Sequence, residues 1–474
     1  MSQYTGNIAT ERPRAKLTLL CNAQFVNVLS VTVVIVAMPS IQRDLSFSDQ
    51  DLHWVVSVYA LFFGGFLMLA GRAADVYGRR RLFMMGMVVF TLGAVACAFA
   101  TSAGALIAAR AIQGTGAAIA LPAALAVVTT TFTEAGARRR ALGVWTATAA
   151  GGGAAGFFLG GLLTGSLGWQ WVFGLSVPIG VVTLALSRVL LPPDPRGSSK
   201  RSLDLAGALT VTAGLAAVIF ASSRAQHEGF DVSTWAMLLV GLSLLVSFAL
   251  IERGAEDPLI PSDAFRSGAL IGANVVAFSV TAVTSPASVI GTLYLQNVMG
   301  YTAAAVGVAF APFSLAVIVG SIAGSWLMGR VGARRTIAGG LLVVAAAMLC
   351  ASGISVEGGV AYLVAGIVVS GFGLGCASVP STAVGTTTVQ GEEQGVASGL
   401  LNTAAQVGTA LGIGLLVSFA VARASAAAGG GDPSPAQLVE GYRAALWAAG
   451  ALSVAALVAA MALIRAPADG SAGL

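Results

Sequence analysis

Charge is what this sequence has least of. Asp, Glu, Lys and Arg make up 9% of its 474 residues, against about 25% in a soluble domain. A chain so poor in charge cannot clothe a water-facing surface. With 57% hydrophobic residues and a mean hydropathy of +0.87, its repeated apolar runs of about 20 residues are membrane spans. Histidine is nearly absent, and both copies, His53 and His227, fall between apolar runs. The four cysteines, Cys21, Cys97, Cys350 and Cys376, all fall inside such runs, so neither a disulfide nor a metal framework is expected. Lys16 and Lys200 are the two lysines among 25 basic residues, which together with abundant Ala and Gly points to a GC-rich bacterial genome. No acidic residue lies near the centre of an apolar run. Nothing resembles a nucleotide-binding loop, a nucleophile with its base, or paired carboxylates, so the sequence predicts no enzyme, no cofactor and no metal. Met1–Lys16 is polar and the first apolar run is already span-length, so no cleavable signal peptide is expected.

The apolar runs that remain number fourteen, at 17–39, 54–74, 82–100, 103–130, 141–164, 171–191, 204–223, 234–252, 269–297, 303–327, 335–353, 359–388, 395–422 and 442–464. An all-α integral membrane protein follows. With the N-terminus inside, the inner segments hold 20 Lys/Arg and the outer ones four, Arg43, Arg224, Arg423 and Arg443. That bias predicts cytoplasmic termini in a bacterial plasma (inner) membrane. It also accounts for the net charge of +5 as topology, so no nucleic-acid partner is expected. Trp54, Trp169, Trp171 and Trp235 fall at outer ends and Trp326 at an inner end, as aromatic belts require.

A polar connection, Gly71-Arg-Ala-Ala-Asp75-Val-Tyr-Gly78-Arg79-Arg80-Arg81, separates the second and third runs. A blurred copy, Gly329-Arg330-Val-Gly332-Ala-Arg334-Arg335, follows 254 positions later and has Gly329 where Asp75 would stand. The repeat divides the chain into an N-terminal six-helix bundle at 1–191, a linker with two inserted helices at 192–267, and a C-terminal six-helix bundle at 268–474. Internal repeats of this kind build alternating-access transporters. The segment Ala424–Glu440, with Gly429-Gly-Gly431-Asp-Pro-Ser-Pro435, is expected to be an outer loop.

Arg110 is the one charge well inside a span, the others lying at boundaries, and an ionisable group at that depth is costly enough to imply function. It either couples charge or rests on carbonyls of neighbouring helices. Gly152, Gly156 and Gly160 recur every four residues in the fifth span and give a bare helix face. That face serves either tight packing or sliding between halves. Mid-span polar residues cannot face lipid, so Gln24, Asn27, Ser30, Gln113, Thr281, Ser285, Asn402 and Gln406 are candidate cavity-lining residues or interhelical bridges.

Taken in order and in register, these features resemble the major facilitator superfamily, in its fourteen-helix drug:proton antiporter branch. Gly71–Arg81 looks like the family's inner-loop motif, Arg110-Ala-Ile-Gln113-Gly114-Thr-Gly116 like its helix-four motif, and Gly156-Phe-Phe-Leu-Gly160-Gly161 like its helix-five antiporter motif. Trp169-Gln-Trp171-Val-Phe173 through Pro178-Ile-Gly180, and Tyr294-Leu-Gln296 through Gly300-Tyr301, extend the likeness. The resemblance implies a charge network of Asp75 and Arg79 locking the cytoplasmic side in the outward-facing state, with Gly78 in its turn, and ties Arg110 to proton coupling. Departures include Ser30 for the helix-one acid, Ile35 for its asparagine, Phe157 for the antiporter-motif proline, Gln170 for an arginine and Ser176 for an asparagine.

The expectation is a secondary exporter of small hydrophobic molecules, antibiotic or drug-like, with protons as coupling ion and the bilayer as surroundings. No obligate protein partner is evident. Because the spans lack a carboxylate and bury Arg110, the substrate is expected to be neutral or acidic rather than a lipophilic cation. A narrow-specificity metabolite carrier, uptake included, is the alternative, and a transport-inactive membrane receptor or partner protein is a second.

Overall fold

In hydrocarbon, a spanning segment must satisfy its backbone N–H and C=O groups internally, which selects the helix. A computed structural model bears this out: among the described residues (13–48, 51–132, 134–194, 205–228, 231–254, 267–387, 393–429 and 433–464) there are helices and no strands. They are α1 (Pro13–Leu45), α2 (Trp54–Tyr77), α3 (Arg79–Ala98), α4 (Ala103–Thr131), α5 (Ala135–Ser166), α6 (Gln170–Gly174), α7 (Ser176–Leu190), α8 (Leu205–Glu228) and α9 (Val232–Gly254). After them come α10 (Gly268–Leu293), α11 (Ala303–Val331), α12 (Ala333–Ala351), α13 (Val360–Thr387), α14 (Glu393–Gly412), α15 (Ser418–Ala428) and α16 (Pro435–Leu463). Single π turns, Tyr294–Val298 and Ile413–Val417, extend α10 and join α14 to α15. Eleven helical stretches are long and apolar enough to cross a membrane among the described residues. In α2 and α8 the apolar stretches are shorter, Trp54–Leu67 and Leu209–Val218.

Three boundaries differ from expectation. The sixth run breaks at Leu175, where α6 ends and α7 begins; Pro178 has no N–H to bond back across that joint. Helix α16 starts at Pro435 rather than at 442, because Ser434 and Gln437 form a reciprocal capping box ahead of it. With α15 reaching Ala428, the outer segment expected at 424–440 shrinks to a short connection. Trp169 does not join an interfacial belt: it is buried and donates from Nε1 to Asp44 Oδ2 at 2.9 Å.

Helices α1–α7 pack mainly on one another, as do α10–α16, and the two groups meet along α5–α11 and α2–α14. Burial tells centre from rim. In α1, 67% of the apolar window is buried, in α9 only 11%, so α1 is central and α9 faces lipid. The hairpin α8–α9 lies over the α2–α14 seam. There Leu215 and Ala216 of α8 pack against Ala60, Leu61 and Ala410, and Val211 and Phe248 join Leu69, Leu270, Ala397 and Leu400. Asp231 pins the hairpin's tip, accepting from Thr234 N at 2.8 Å and Ser233 Oγ at 2.7 Å, with Arg224 Nη2 at 3.9 Å. Hydrogen bonds from Thr234 and then Ser233 hold its carboxyl down to about 2, so it is charged throughout the pH range of a cell.

The repeat seen in the sequence is also a geometric one. Gly78 and Gly332 both adopt positive φ, +105° and +85°. Two residues after each, an arginine reaches a carbonyl near the end of the last helix of its group. Arg80 Nη2 bonds Arg188 O at 2.8 Å, and Arg334 Nη2 bonds Met461 O at 2.7 Å.

The α5–α11 contact is close because both helices present glycine. A Cβ at Gly161 would lie 2.5 Å from Ala303 O, and one at Gly307 would run into Phe157 O. Gly307→Val is therefore expected to lower stability by about 1–3 kcal/mol through overpacking, read by thermal unfolding of the purified protein. Gly339→Val, where nothing lies within 4 Å, should leave the transition within about 0.5 kcal/mol of the parent.

Candidate functional site

Helix α4 starts at Ser102, whose side chain accepts from Ala105 N. Arg110 follows seven residues into the helix, about 10 Å along its axis. Its side chain is fully buried. Nε donates to Val55 O of α2 at 2.8 Å; Nη1 donates to Gln113 Oε1 at 2.7 Å and to Ser30 O of α1 at 3.4 Å. The guanidinium lies 4.2 Å from the Tyr59 ring centroid and 5.8 Å from that of Phe173. Tyr59 in turn donates its hydroxyl to Asn27 Oδ1. Gly114 permits this closeness, since a Cβ there would sit 2.5 Å from Tyr59 O.

Both readings of Arg110 thus meet at one residue. Carbonyls of neighbouring helices do hold it, yet Nη2, and beside it Gln113 Nε2, are buried without a hydrogen-bond partner among the described residues. No described carboxylate pairs with Arg110. A buried cation costs several kcal/mol in lost hydration, which three hydrogen bonds and two ring faces offset only in part. Chemically, the two unpartnered donors can take a hydrogen-bond acceptor or a negative charge. The acid buried among the described residues is Glu252, in the last turn of α9 at the opposite end of the bundle.

The other cavity candidates separate. Asn27, Ser30 and Gln113 are buried with Arg110, and Ser30 Oγ turns back to Asn27 O of its own helix at 2.8 Å. Thr281 bonds Ala405 O at 2.7 Å and Ser285 meets Thr409 Oγ1 at 3.4 Å, so both bridge α10 to α14. Gln406 lies at the α2–α14 seam, where a Cβ on Gly64 would meet its own Cβ at 2.8 Å. Ser57 Oγ to Ala410 O at 3.3 Å and Thr403 Oγ1 to Gly64 O at 3.2 Å close the same seam. Gln24 is half-buried on α1 and Asn402 exposed on α14.

The glycine stripe of α5 has a different neighbour from the one needed for sliding between groups. Cβ atoms on Gly152, Gly156 and Gly160 would meet Phe25 O, Thr32 Oγ1 and Val33 O, all on α1 of the same group. Contact with the second group falls instead to Gly153 and Gly161, which face Ser314 and Ala303–Ala304, and to Phe157. That residue is buried and packs edge-on against Phe310 at 5.9 Å and Phe313 at 6.1 Å. Gln296 adds a hydrogen bond from Nε2 to Val36 O at 2.9 Å. Around these contacts one apolar cluster joins both groups, from Leu29–Ile41 and Val55 to Val283–Leu295, Phe310 and Ile413.

At the end that carries the basic turn, each group has its own apolar cluster, around Leu19–Phe83 in the first and Val276–Ile337 in the second. Among the described residues, a small cluster under α8–α9 is what joins the two groups at this end. So the bundle is closed at the end away from the turn.

Helix α3 opens with Arg79-Arg80-Arg81, cations at the positive end of a helix dipole. The structure answers with Asp194, which sequence reasoning missed. Its carboxylate accepts from Arg80 N at 2.9 Å and Arg81 N at 3.1 Å, and any side chain at Gly78 would overlap it. The signal was available: a helix start with three arginines and no acid of its own needs one from elsewhere, and Pro192-Pro193-Asp194 ends the same group. Arg79 is half-buried beside this cap. The backbone of Asp75 belongs to α2, but its side chain lies outside the described residues.

Comparison with known proteins places this arrangement. The family model described as "Major Facilitator Superfamily" matches residues 20–413 and 269–473. The puromycin resistance protein of Streptomyces alboniger is 37% identical over 433 residues, 90% of this chain and 85% of that one. The cephamycin export protein of Amycolatopsis lactamdurans is 38% identical over 441 residues, 91% and 89% of the two chains. Among solved structures, a bacterial homolog of the human lysosomal transporter Spinster, inward-facing and unoccupied, superposes with a TM-score of 0.64 at 17% identity over 98% of this chain and 100% of that one. The chain belongs to the Major Facilitator Superfamily, a family of transporters and not of enzymes.

Proposed function

We propose that this protein is a secondary active exporter of small hydrophobic molecules, neutral or acidic, that works by alternating access. The observation that carries the substrate class is Arg110, a buried cation with an unpartnered Nη2 and no carboxylate partner among the described residues. The relatives named for puromycin resistance and cephamycin export support the direction of transport. On this reading α2, α5 and α8 cross the membrane beside the eleven apolar stretches, giving fourteen spans. Residues 1–191 and 268–474 form the two moving bundles, and 192–267 carries the inserted pair. The termini and the basic turn are cytoplasmic, supported by the arginine bias between segments. The described state is then closed to the outside and faces the cytoplasm.

Within that cycle, Asp75, Gly78 and Arg79 belong to the cytoplasmic gate. Gly152, Gly156 and Gly160 hold α5 on α1, so that α5 moves with its own bundle. Gln24, Asn27, Ser30, Gln113, Thr281, Ser285, Asn402 and Gln406 line the route or brace its walls. Protons remain the proposed coupling ion. Asp194 holds the turn in the cytoplasm-facing state.

The test is flux in proteoliposomes under an imposed proton gradient, with internal pH read in parallel. Arg110→Ala is expected to cut export at least about tenfold. Arg110→Lys should not restore it, because a lysine lacks the planar fork that serves Val55 O, Ser30 O and Gln113 together. Full export by either variant would remove Arg110 from the mechanism. An acidic apolar substrate should be exported well and an ethidium-like cation poorly; equal rates would refute the assigned substrate class.

Removing the carboxylate over α3 tests the gate separately. A helix-end charge contributes about 1 kcal/mol, so Asp194→Asn should shift the population about fivefold away from the cytoplasm-facing state. Spin-label distances between positions 81 and 335 would report it, with an unchanged distribution counting against the latch.

A further inference from the structure

We propose that the groove between α3 and α7 at the basic-turn end is a binding site for an anionic phospholipid. The groove measures about 480 Å³, with Arg81 and Arg188 at its rim and Met84, Met85, Val88 and Leu184 as its apolar floor. Met85 and Val88 are 49% and 43% exposed, and the stripe continues to Leu92 at 61%. A polar headgroup site therefore opens onto an apolar track of a fatty chain's character, running from the helix end toward the bilayer middle.

Charge selects the occupant. Both arginines are exposed, and neither guanidinium has a hydrogen bond or ion pair among the described residues. The carboxylate at this turn, Asp194, has its two oxygens turned to the N–H groups of Arg80 and Arg81. The groove walls are held in register by Arg80, which bonds Arg188 O from across the gap. Two guanidiniums without an ion pair among the described residues, set over an apolar floor at the end of a spanning helix, fit a net-negative headgroup better than a zwitterion. Because the site joins α3 to α7 of one bundle, occupancy braces the wall on which the Gly78 turn is mounted. The proposal needs the chain to be embedded in a bilayer but does not depend on what it exports.

The experiment uses the purified full-length protein in detergent, titrated with phosphatidylglycerol or with phosphatidylcholine of the same chains, and reads thermal stability and lipid adducts by native mass spectrometry. Phosphatidylglycerol should raise the melting temperature more and be retained as an adduct. Arg81→Gln with Arg188→Gln should weaken its binding about thirtyfold, from about 1 kcal/mol for each arginine near a lipid surface. Arg335→Gln, on the second turn, should leave that binding intact. Equal effects of the two lipids, an unchanged preference in the double variant, or the same shift from inorganic phosphate alone would overturn the assignment. Should the double variant fail to fold, Val88→Trp fills the floor and keeps both arginines; retention of the adduct there would equally overturn it.

Discussion

A buried guanidinium with no carboxylate partner among the described residues is the constraint on which the first bundle depends. Arg110 binds α4 to α1 through Ser30 O and to α2 through Val55 O, so three helices share one cation. Helices in lipid gain no hydrophobic attraction for one another, and their association rests on packing and on hydrogen bonds. Here the strongest donors available are spent on backbone carbonyls. Loss of that side chain would therefore loosen three helices at once and leave the Tyr59–Asn27 bond without its cationic neighbour. The same residue is structural and, on the proposed reading, functional, and its remaining Nη2 is what separates the second role from the first.

The second constraint is that two bundles must meet tightly at one end and part at the other. Tightness comes from backbone approach, Gly161 and Gly307 across α5–α11, reinforced by the edge-on rings of Phe157, Phe310 and Phe313. Such contacts are strong only when closed, since an aromatic pair loses most of its value beyond about 7 Å. They make a seam with two states rather than a graded one. The opposite flank differs: α8–α9 lies across the α2–α14 seam, shielding from lipid the hydrogen bonds of Ser57 and Thr403. The α8–α9 pair thus covers one flank of the bundle.

Much of this was legible in the chain. Apolar length and arginine placement gave the helices and the repeat, because membrane spans answer to a single strong rule. The repeat even extends to Arg80 and Arg334, whose carbonyl contacts match between bundles. What escaped was whatever depends on which way a helix is rotated. A four-residue glycine period marks a bare face but not its neighbour, and the Gly152–Gly160 face turned out to belong to α1. Phe157 read as a departure from a motif, though its ring is a bridge between bundles. Asp194 was missed for a different reason: three arginines opening α3 called for an acid, but that acid lies more than a hundred residues from the turn it caps, and spacing does not say which one answers.

The absence of a helix-one acid then takes on an energetic meaning. Ser30 stands at that place, its backbone oxygen bonded to Arg110 and its hydroxyl to its own helix. A carboxylate there would neutralise Arg110 and leave an empty carrier close to neutral; with serine, the empty site retains the full positive charge. On the proposed reading an acidic substrate restores neutrality when it binds, so the loaded carrier is easier to close than the empty one. Outward movement of that negative charge is also favoured by an inside-negative potential, by about 2.3 kcal/mol per 100 mV. Ser30 therefore shifts part of the driving force from a titrating side chain to the substrate's own charge.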